Sequence, residues 1–159
     1  MSKLQQFDDI LVACSDDYAG MSDVVTRCLR EVNSKDYPPT VIDDLVNRHQ
    51  PEALASRLED PEKHALVVKQ RGEVVGTGVL DGDEITTVFV DPDIHARGIG
   101  RKIMHALEQE ALRRELPHVE VHSSLTAVRF YEKLGYQHLE HVDREVGGES
   151  LHMRKMLST

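Results

Sequence analysis

"VDPDIHARGIGRKIM", residues 90–104, is the stretch on which the reading of this chain turns. An apolar strand runs into Pro92, two glycines follow one residue apart, and a helical pattern begins. The N-terminus of a helix carries unpaired N–H groups and the positive end of the helix dipole, so it is a ready anion site. Gly98 and Gly100 allow close approach of the backbone, because neither carries a Cβ. Arg97 and Arg101 add positive charge to the rim. Several N–H groups converging on one point suit a diphosphate better than a carboxylate. Two familiar phosphate motifs are excluded. "GIGRK" lacks the Lys-Ser/Thr of a P-loop, and the position three after Gly100 is Ile103 rather than glycine.

On either side the chain reads as a mixture of hairpins and crossovers. "HALVVKQ" (64–70), the turn Arg71-Gly72 and "EVVGTGVL" (73–80) predict a hairpin. "DGD" (81–83) predicts a second turn into "EITTVFV" (84–90). A helix over about 98–114 follows, then a strand at 118–123 and a helix at about 125–134. Two last strands, 137–145 and 150–157, are joined through Gly147-Gly148. Upstream, "ILVAC" (10–14) reads as a short buried strand, and Ser15 with Asp16 and Asp17 as a helix start. "DYPPT" (36–40) breaks that helix, and two short helices are predicted near 40–48 and 51–59. Hairpins together with strand–helix–strand units imply an α/β (α+β-like) domain with a mixed sheet covered by helices.

A chain of 159 residues is most simply one domain, residues 1–159. Its net charge of -9 argues against nucleic acid or an anionic membrane as partner, since both need basic surfaces. No apolar run approaches the roughly 18 residues of a membrane span, and the N-terminus lacks the apolar core of a signal peptide. Cys14 and Cys28 read as small buried hydrophobes of a reducing compartment, so a cytoplasmic location is expected. None of the nine histidines shows a compact ligand spacing with cysteine or carboxylate, and no metal is expected. The first 60 residues hold twelve acidic against six basic side chains. Solvated helix faces explain this most simply, and a cationic acceptor such as a polyamine or aminoglycoside is the sharper reading.

"TVFVDPDIHARGIGRKIMHALEQEA" (87–111) resembles the cofactor-binding motif of the GCN5-related N-acetyltransferase family. That motif is an apolar strand, often with a proline just beyond it, then [Q/R]-x-x-G-x-[G/A] and an amphipathic helix. "SSLTAVRFYEKLGY" (123–136) is similar to the family's A-x-x-F-Y-x-x-x-G-[F/Y] helix, and "LHMRKML" (151–157) to its closing strand. The resemblance covers about residues 8–157. It implies a mostly antiparallel mixed sheet with one splayed parallel pair, flanked by helices, and acetyl-CoA as co-substrate. It places the diphosphate on His95, Ala96, Arg97, Gly98, Ile99, Gly100 and Arg101. His95 stands where Gln or Arg is usual, and Ser124 where the family often has Asn. The backbone of Val88 and Val90 is expected to pair with the pantetheine arm, the Val88 N–H also polarising the thioester carbonyl. The implied acceptor is a small-molecule or peptide amine, and a homodimer is compatible with the family's habits.

Acetyl transfer to an amine needs a base and an acid. An alkylammonium has a pKa of about 10 and must lose a proton before it attacks, and the departing thiolate must gain one. Glu84 is the candidate base, fourteen residues before Gly98, where some family members carry one. Strand alternation puts Glu84, Thr86, Val88 and Val90 on one face. Tyr131 is the candidate acid. Its helix spaces Ala127, Phe130, Tyr131 and Leu134 at i, i+3, i+4 and i+7, which turns Tyr131 inward, and the family puts its acid tyrosine in this "FY" position. The expected function is direct acetyl transfer to a primary amine with Glu84, or a water, as base and Tyr131 as acid. The alternative on the same scaffold is a non-catalytic CoA or acyl-CoA sensor, or an interaction module.

Overall fold

Runs of β-branched residues broken by tight turns give a meander of three strands, β2 (His64–Gln70), β3 (Glu73–Asp81) and β4 (Glu84–Val90), in the computed structural model, which describes residues 10–95, 98–144 and 148–158. Arg71 and Gly72 both have positive φ, 53° and 80°, the backbone twist that suits a two-residue hairpin turn. The remaining strands are β1 (Ile10–Val12), β5 (His118–Ser124), β6 (Gln137–Arg144) and β7 (Gly148–Met156). All seven form one mixed sheet in the order β1-β2-β3-β4-β5-β7-β6, with only β4 and β5 parallel. The turn expected through Gly147 lies outside the described residues at 145–147.

Helices cover both faces. Alternation in β2 sends Leu66 and Val68 to one side, where they join Ile103, Met104 and Leu107 of α4 (Ile99–Arg113) and Tyr131 of α5 (Val128–Lys133). Val67 points the other way, against Met21 of α1 (Tyr18–Glu31) and Leu54 of α3 (Pro51–Leu58). Phe89 lies on that second side too, with Val25 and Leu29 of α1 and Ile42 and Val46 of α2 (Pro39–Arg48). Among the described residues no helix is long and apolar enough to cross a membrane.

Two expectations change here. β1 is an edge strand with one neighbour, and Leu11 and Val12 are 44% and 65% exposed rather than buried. Cys28 is buried as expected, whereas Cys14 is exposed at the start of the turn before α1.

A buried polar network joins the sheet to α4. The Tyr136 hydroxyl donates to Glu108 at 2.8 Å, and Lys155 Nζ lies 2.8 Å from the other carboxylate oxygen. Glu108 and Tyr136 are both buried. Glu108→Ala strands a buried hydroxyl and a half-buried ammonium, and is expected to cost about 2–3 kcal/mol. Urea unfolding checks this, and a midpoint equal to wild type refutes it.

Candidate active site

The sheet opens at its centre. β4 and β5 share one rung, Glu84 with Glu120, reinforced by the Glu120 N–H donating to the Asp83 carbonyl at 2.8 Å. Beyond it the parallel pairing stops. The Asp91 N–H donates to Val75 O at 2.8 Å, so by alternation the backbone groups of Val90 and Val88 point away from β3, into the gap. The Val90 carbonyl accepts from Cys28 Sγ at 3.0 Å and from His95 Nε2 at 2.6 Å. His95 is therefore placed on the end of β4. Burial pushes the Cys28 thiol up to about 12, which keeps it a proton donor and no nucleophile.

A bulge decides which side chains face this gap. Gly78 stands opposite both Thr87 and Val88, and Thr87 takes φ 55°, rare for a β-branched residue. The buried Thr77 hydroxyl donates to the Thr87 carbonyl at 2.6 Å and holds the kink. The alternation read from sequence is thereby broken. Ile85, Val88 and Val90 face α4, whereas Glu84 and Thr86 share the face of Phe89 and α1.

At the mouth of the gap α4 begins. Gly98 is its N-cap in the left-handed region, φ 79°, and a Cβ there would meet nothing within 4 Å. Among the described residues Lys102 is the first to bond back, to the Gly98 carbonyl at 3.1 Å, so the N–H groups of Ile99, Gly100 and Arg101 belong to the first turn of the helix. Arg101 is exposed, and Ala96 and Arg97 lie outside the described residues. Gly100 has a second reason to be bare. A Cβ there would stand 3.1 Å from Phe130 Cζ, so the packing of α5 also needs a bare residue at this position. Arg27 of α1 reaches 64 residues along the chain to Asp91, at 2.9 Å, and pairs with Asp93 at 3.1 Å. This tethers the segment leading to Gly98. Sequence reading had no signal for that long-range pair.

Gly98→Val puts a branched side chain at a left-handed φ and over the helix mouth. A loss of CoA affinity of at least about tenfold, about 1.4 kcal/mol, is expected with the fold kept. Unchanged affinity by calorimetry removes the helix mouth from the binding site.

The face of Glu84 carries a cluster that sequence spacing did not reveal, because β7 lies beside β5. Glu120 Oε2 accepts from Arg154 Nε at 2.9 Å and Nη2 at 2.6 Å, and Oε1 accepts from His152 Nε2 at 2.6 Å. Arg154, then His152, hold the Glu120 carboxyl below its ordinary range. His118 Nε2 lies 3.1 Å from Asp83 and 3.2 Å from Glu120. These three residues bring ligand atoms within 4.8 Å of one another, so register assembles a potential cation set that spacing alone did not show. The imidazole already bridges both carboxylates. Tyr37 walls the same side, its hydroxyl donating to Glu149 O at 2.6 Å and accepting from the Leu125 N–H at 2.8 Å.

Tyr131 sits as its helix period required, 7% exposed, with its ring edge-on to Phe130 and Tyr136 at 5.1 and 5.6 Å. Its hydroxyl makes no hydrogen bond among the described residues, and burial raises its pKa, so it stays a neutral phenol with a proton to give. Ser124 caps the turn into α5, its Oγ accepting from the Ala127 N–H at 3.2 Å.

Residues 33–157 match the acetyltransferase (GNAT) domain family. The peptidyl-lysine N-acetyltransferase YjaB of Escherichia coli (strain K12) is 31% identical over 99 residues, 62% of this chain; the chain spans 59% of that protein's length. A GCN5-related N-acetyltransferase structure from Rhodopseudomonas palustris superposes with TM-score 0.87 at 23% identity, over 94% of this chain and 95% of that one. The PaiA N-acetyltransferase of Thermoplasma acidophilum, solved with coenzyme A, gives 0.78 at 15% identity, over 94% and 98%. At such identities the two structures establish a shared fold, with its mixed sheet and parallel pair.

Proposed function

The chain belongs to the acetyltransferase (GNAT) family, and on that premise we propose that it transfers an acetyl group from acetyl-CoA to a primary amine, as one domain over residues 1–159. The observation that carries this is the gap itself. Pairing of β4 with β5 ends after Glu84 and Glu120, and the edge of β4 that Val88 and Val90 turn away from β3 leads to the N-terminus of α4, the Val90 carbonyl being held by Cys28 and His95. An extended thioester arm can pair with that edge while its diphosphate meets the N–H groups of Ile99, Gly100 and Arg101, with Arg97 and Arg101 flanking. The coenzyme A in the Thermoplasma acidophilum structure supports the choice of donor.

The acceptor enters from the face of Glu84, opposite α4. Glu84, directly or through a water, takes a proton from the ammonium. The amine nitrogen then attacks the thioester carbon, while the Val88 N–H stabilises the oxyanion. The C–S bond breaks, the thiolate takes the phenolic proton of Tyr131, and the second proton lost by the amine nitrogen restores that phenol, directly or through water. Lysine-containing peptides are the first acceptors to try, given the name of the Escherichia coli relative.

Release of the CoA thiol is the test. Acetyl-CoA is incubated with the protein and a panel of lysine peptides, peptide N-termini, polyamines and aminoglycosides. At least one amine should release thiol well above the rate without protein. Calorimetric CoA binding with no thiol release for any amine would make the chain a sensor, and no CoA binding would make it an interaction module.

A further inference from the structure

Attack on a thioester moves charge onto its carbonyl oxygen. The N–C bond forms, the π pair of the C=O becomes an oxyanion, and the C–S bond then breaks with the sulfur keeping its electrons. A donor lowers this barrier only if it is already aimed where the charge develops. On β4 that donor is the Val88 N–H, and no rotamer can aim a backbone N–H. Its direction is set by the peptide plane that it shares with the Thr87 carbonyl, so whatever holds one end of the plane aims the other.

We propose that Thr77 is the positioning residue of the oxyanion donor, acting through the Thr87–Val88 peptide; this rests on the acetyl-transfer reading. Thr77 lies on β3, is fully buried, and donates from Oγ1 to the Thr87 carbonyl at 2.6 Å. The peptide is trans, so its N–H points opposite to its carbonyl. With the carbonyl drawn towards β3, the Val88 N–H is turned away from β3 and into the gap. The ladder does not do this, because Thr77 pairs with Phe89 and Val79 with Thr86, which leaves Thr87 and Val88 opposite Gly78 alone. Thr87 holds φ 55°, a conformation that persists in a β-branched residue only where its surroundings over-determine it. Its own hydroxyl is turned to Thr86 Oγ1, at 3.3 Å, and leaves the carbonyl to Thr77. The strand opposite is fixed as well. A Cβ on Gly78 would stand 2.9 Å from Leu107 Cδ1 and closer still to Ile103, so β3 lies hard against α4 at this point. A hydrogen bond accepted by a peptide carbonyl also polarises the N–H of the same peptide, so the hydroxyl strengthens the donor that it aims. No proton moves through Thr77: its hydroxyl and the Val88 N–H both keep their hydrogens throughout the step.

The test reads the thioester carbonyl itself. Acetyl-CoA isotopically labelled at the acetyl carbonyl is bound to the protein without an amine, and isotope-edited infrared difference spectra follow its C=O stretch. In wild type the band should lie below that of the free thioester, because an accepted hydrogen bond weakens the C=O bond. Thr77→Val keeps the shape of the side chain and removes the hydroxyl, and its band should move back towards the free position. Thr77→Ser keeps a hydroxyl and should recover most of the wild-type shift. With an amine that wild type acetylates, kcat of Thr77→Val is expected to fall roughly tenfold, less than the 10²–10³-fold cost of deleting an oxyanion donor, because the N–H remains. KM for acetyl-CoA should change little, and Thr77→Ser should recover most of kcat. A packing role predicts the opposite order, since valine fills the site and serine does not. An unshifted wild-type band overturns the proposal, as does a Thr77→Ser band no closer to wild type than that of Thr77→Val. Thr77→Ala is the second hydroxyl-free variant; if neither it nor Thr77→Val folds, the hydroxyl is a folding requirement and the proposal falls. If the variant bands match wild type while wild type acetylates its amine, only the role of Thr77 falls. If wild type binds no acetyl-CoA, or releases no thiol with any amine, the acetyl-transfer reading falls and this one with it.

Discussion

Glu84→Gln is expected to lower kcat/KM by about 10²–10⁴-fold, the span of a positioned general base. The deficit should be largest at low pH. An alkylammonium with a pKa of about 10 is almost wholly protonated at neutrality. Without a base, the rate follows the small fraction of free amine and climbs about tenfold per pH unit. With a base, the wild-type rate is nearly flat over the same range, so the two profiles converge towards pH 10. Glu84 is suited to the task because the bulge at Thr87 leaves it on the acceptor face while Val88 and Val90 keep their backbone in the gap. A variant whose pH–rate profile overlays wild type removes Glu84 from the mechanism and leaves deprotonation to water or a histidine.

Tyr131→Phe should reduce kcat by roughly 10²-fold or less, with acetyl-CoA affinity nearly constant, the mark of an interaction made in the transition state. A thiolate is a tolerable leaving group, which caps the effect. Stability should barely move, because the hydroxyl has no hydrogen-bond partner among the described residues and the ring packing is kept. Burial raises the pKa of this phenol, so its proton stays in place as pH rises past the ordinary tyrosine range. The variant's alkaline limb should then run parallel to that of wild type. Wild-type kcat with an identified acceptor would reduce Tyr131 to a core residue.

Much of this arrangement is legible in the sequence, and the parts that are not share a cause. Local pattern located β2 and β4, and placed α4 within a residue of its observed ends. It also turned Tyr131 inward, because helical period and burial are local properties. The kink at Thr87 has no sign in the sequence, since threonine does not announce a positive φ and the hydroxyl that bonds its carbonyl comes from Thr77 on the neighbouring strand. That one residue reversed the face assigned to Glu84 relative to Val88. The packing of Phe130, thirty residues on, against the bare face of Gly100 has no signal in the local motif. The cluster of Glu120, His152 and Arg154 depends on β7 entering between β5 and β6, and strand order is not written in periodicity. Cys14 and Cys28 have the same chemistry and opposite exposure, because one opens a surface turn and the other lines the inner face of α1.

The central claim is direct passage of an acetyl group from CoA to the amine without an acyl-enzyme. The buried Cys28 thiol, pushed up to about 12, is in accord with it. The most direct measurement uses acetyl-CoA labelled in the acetyl group, with label followed by mass spectrometry on amine, protein and solvent during the first turnovers. The account expects label on the amine nitrogen in step with released CoA and none on the protein. Label appearing first on a protein side chain, or released as acetate with the amine untouched, would contradict it.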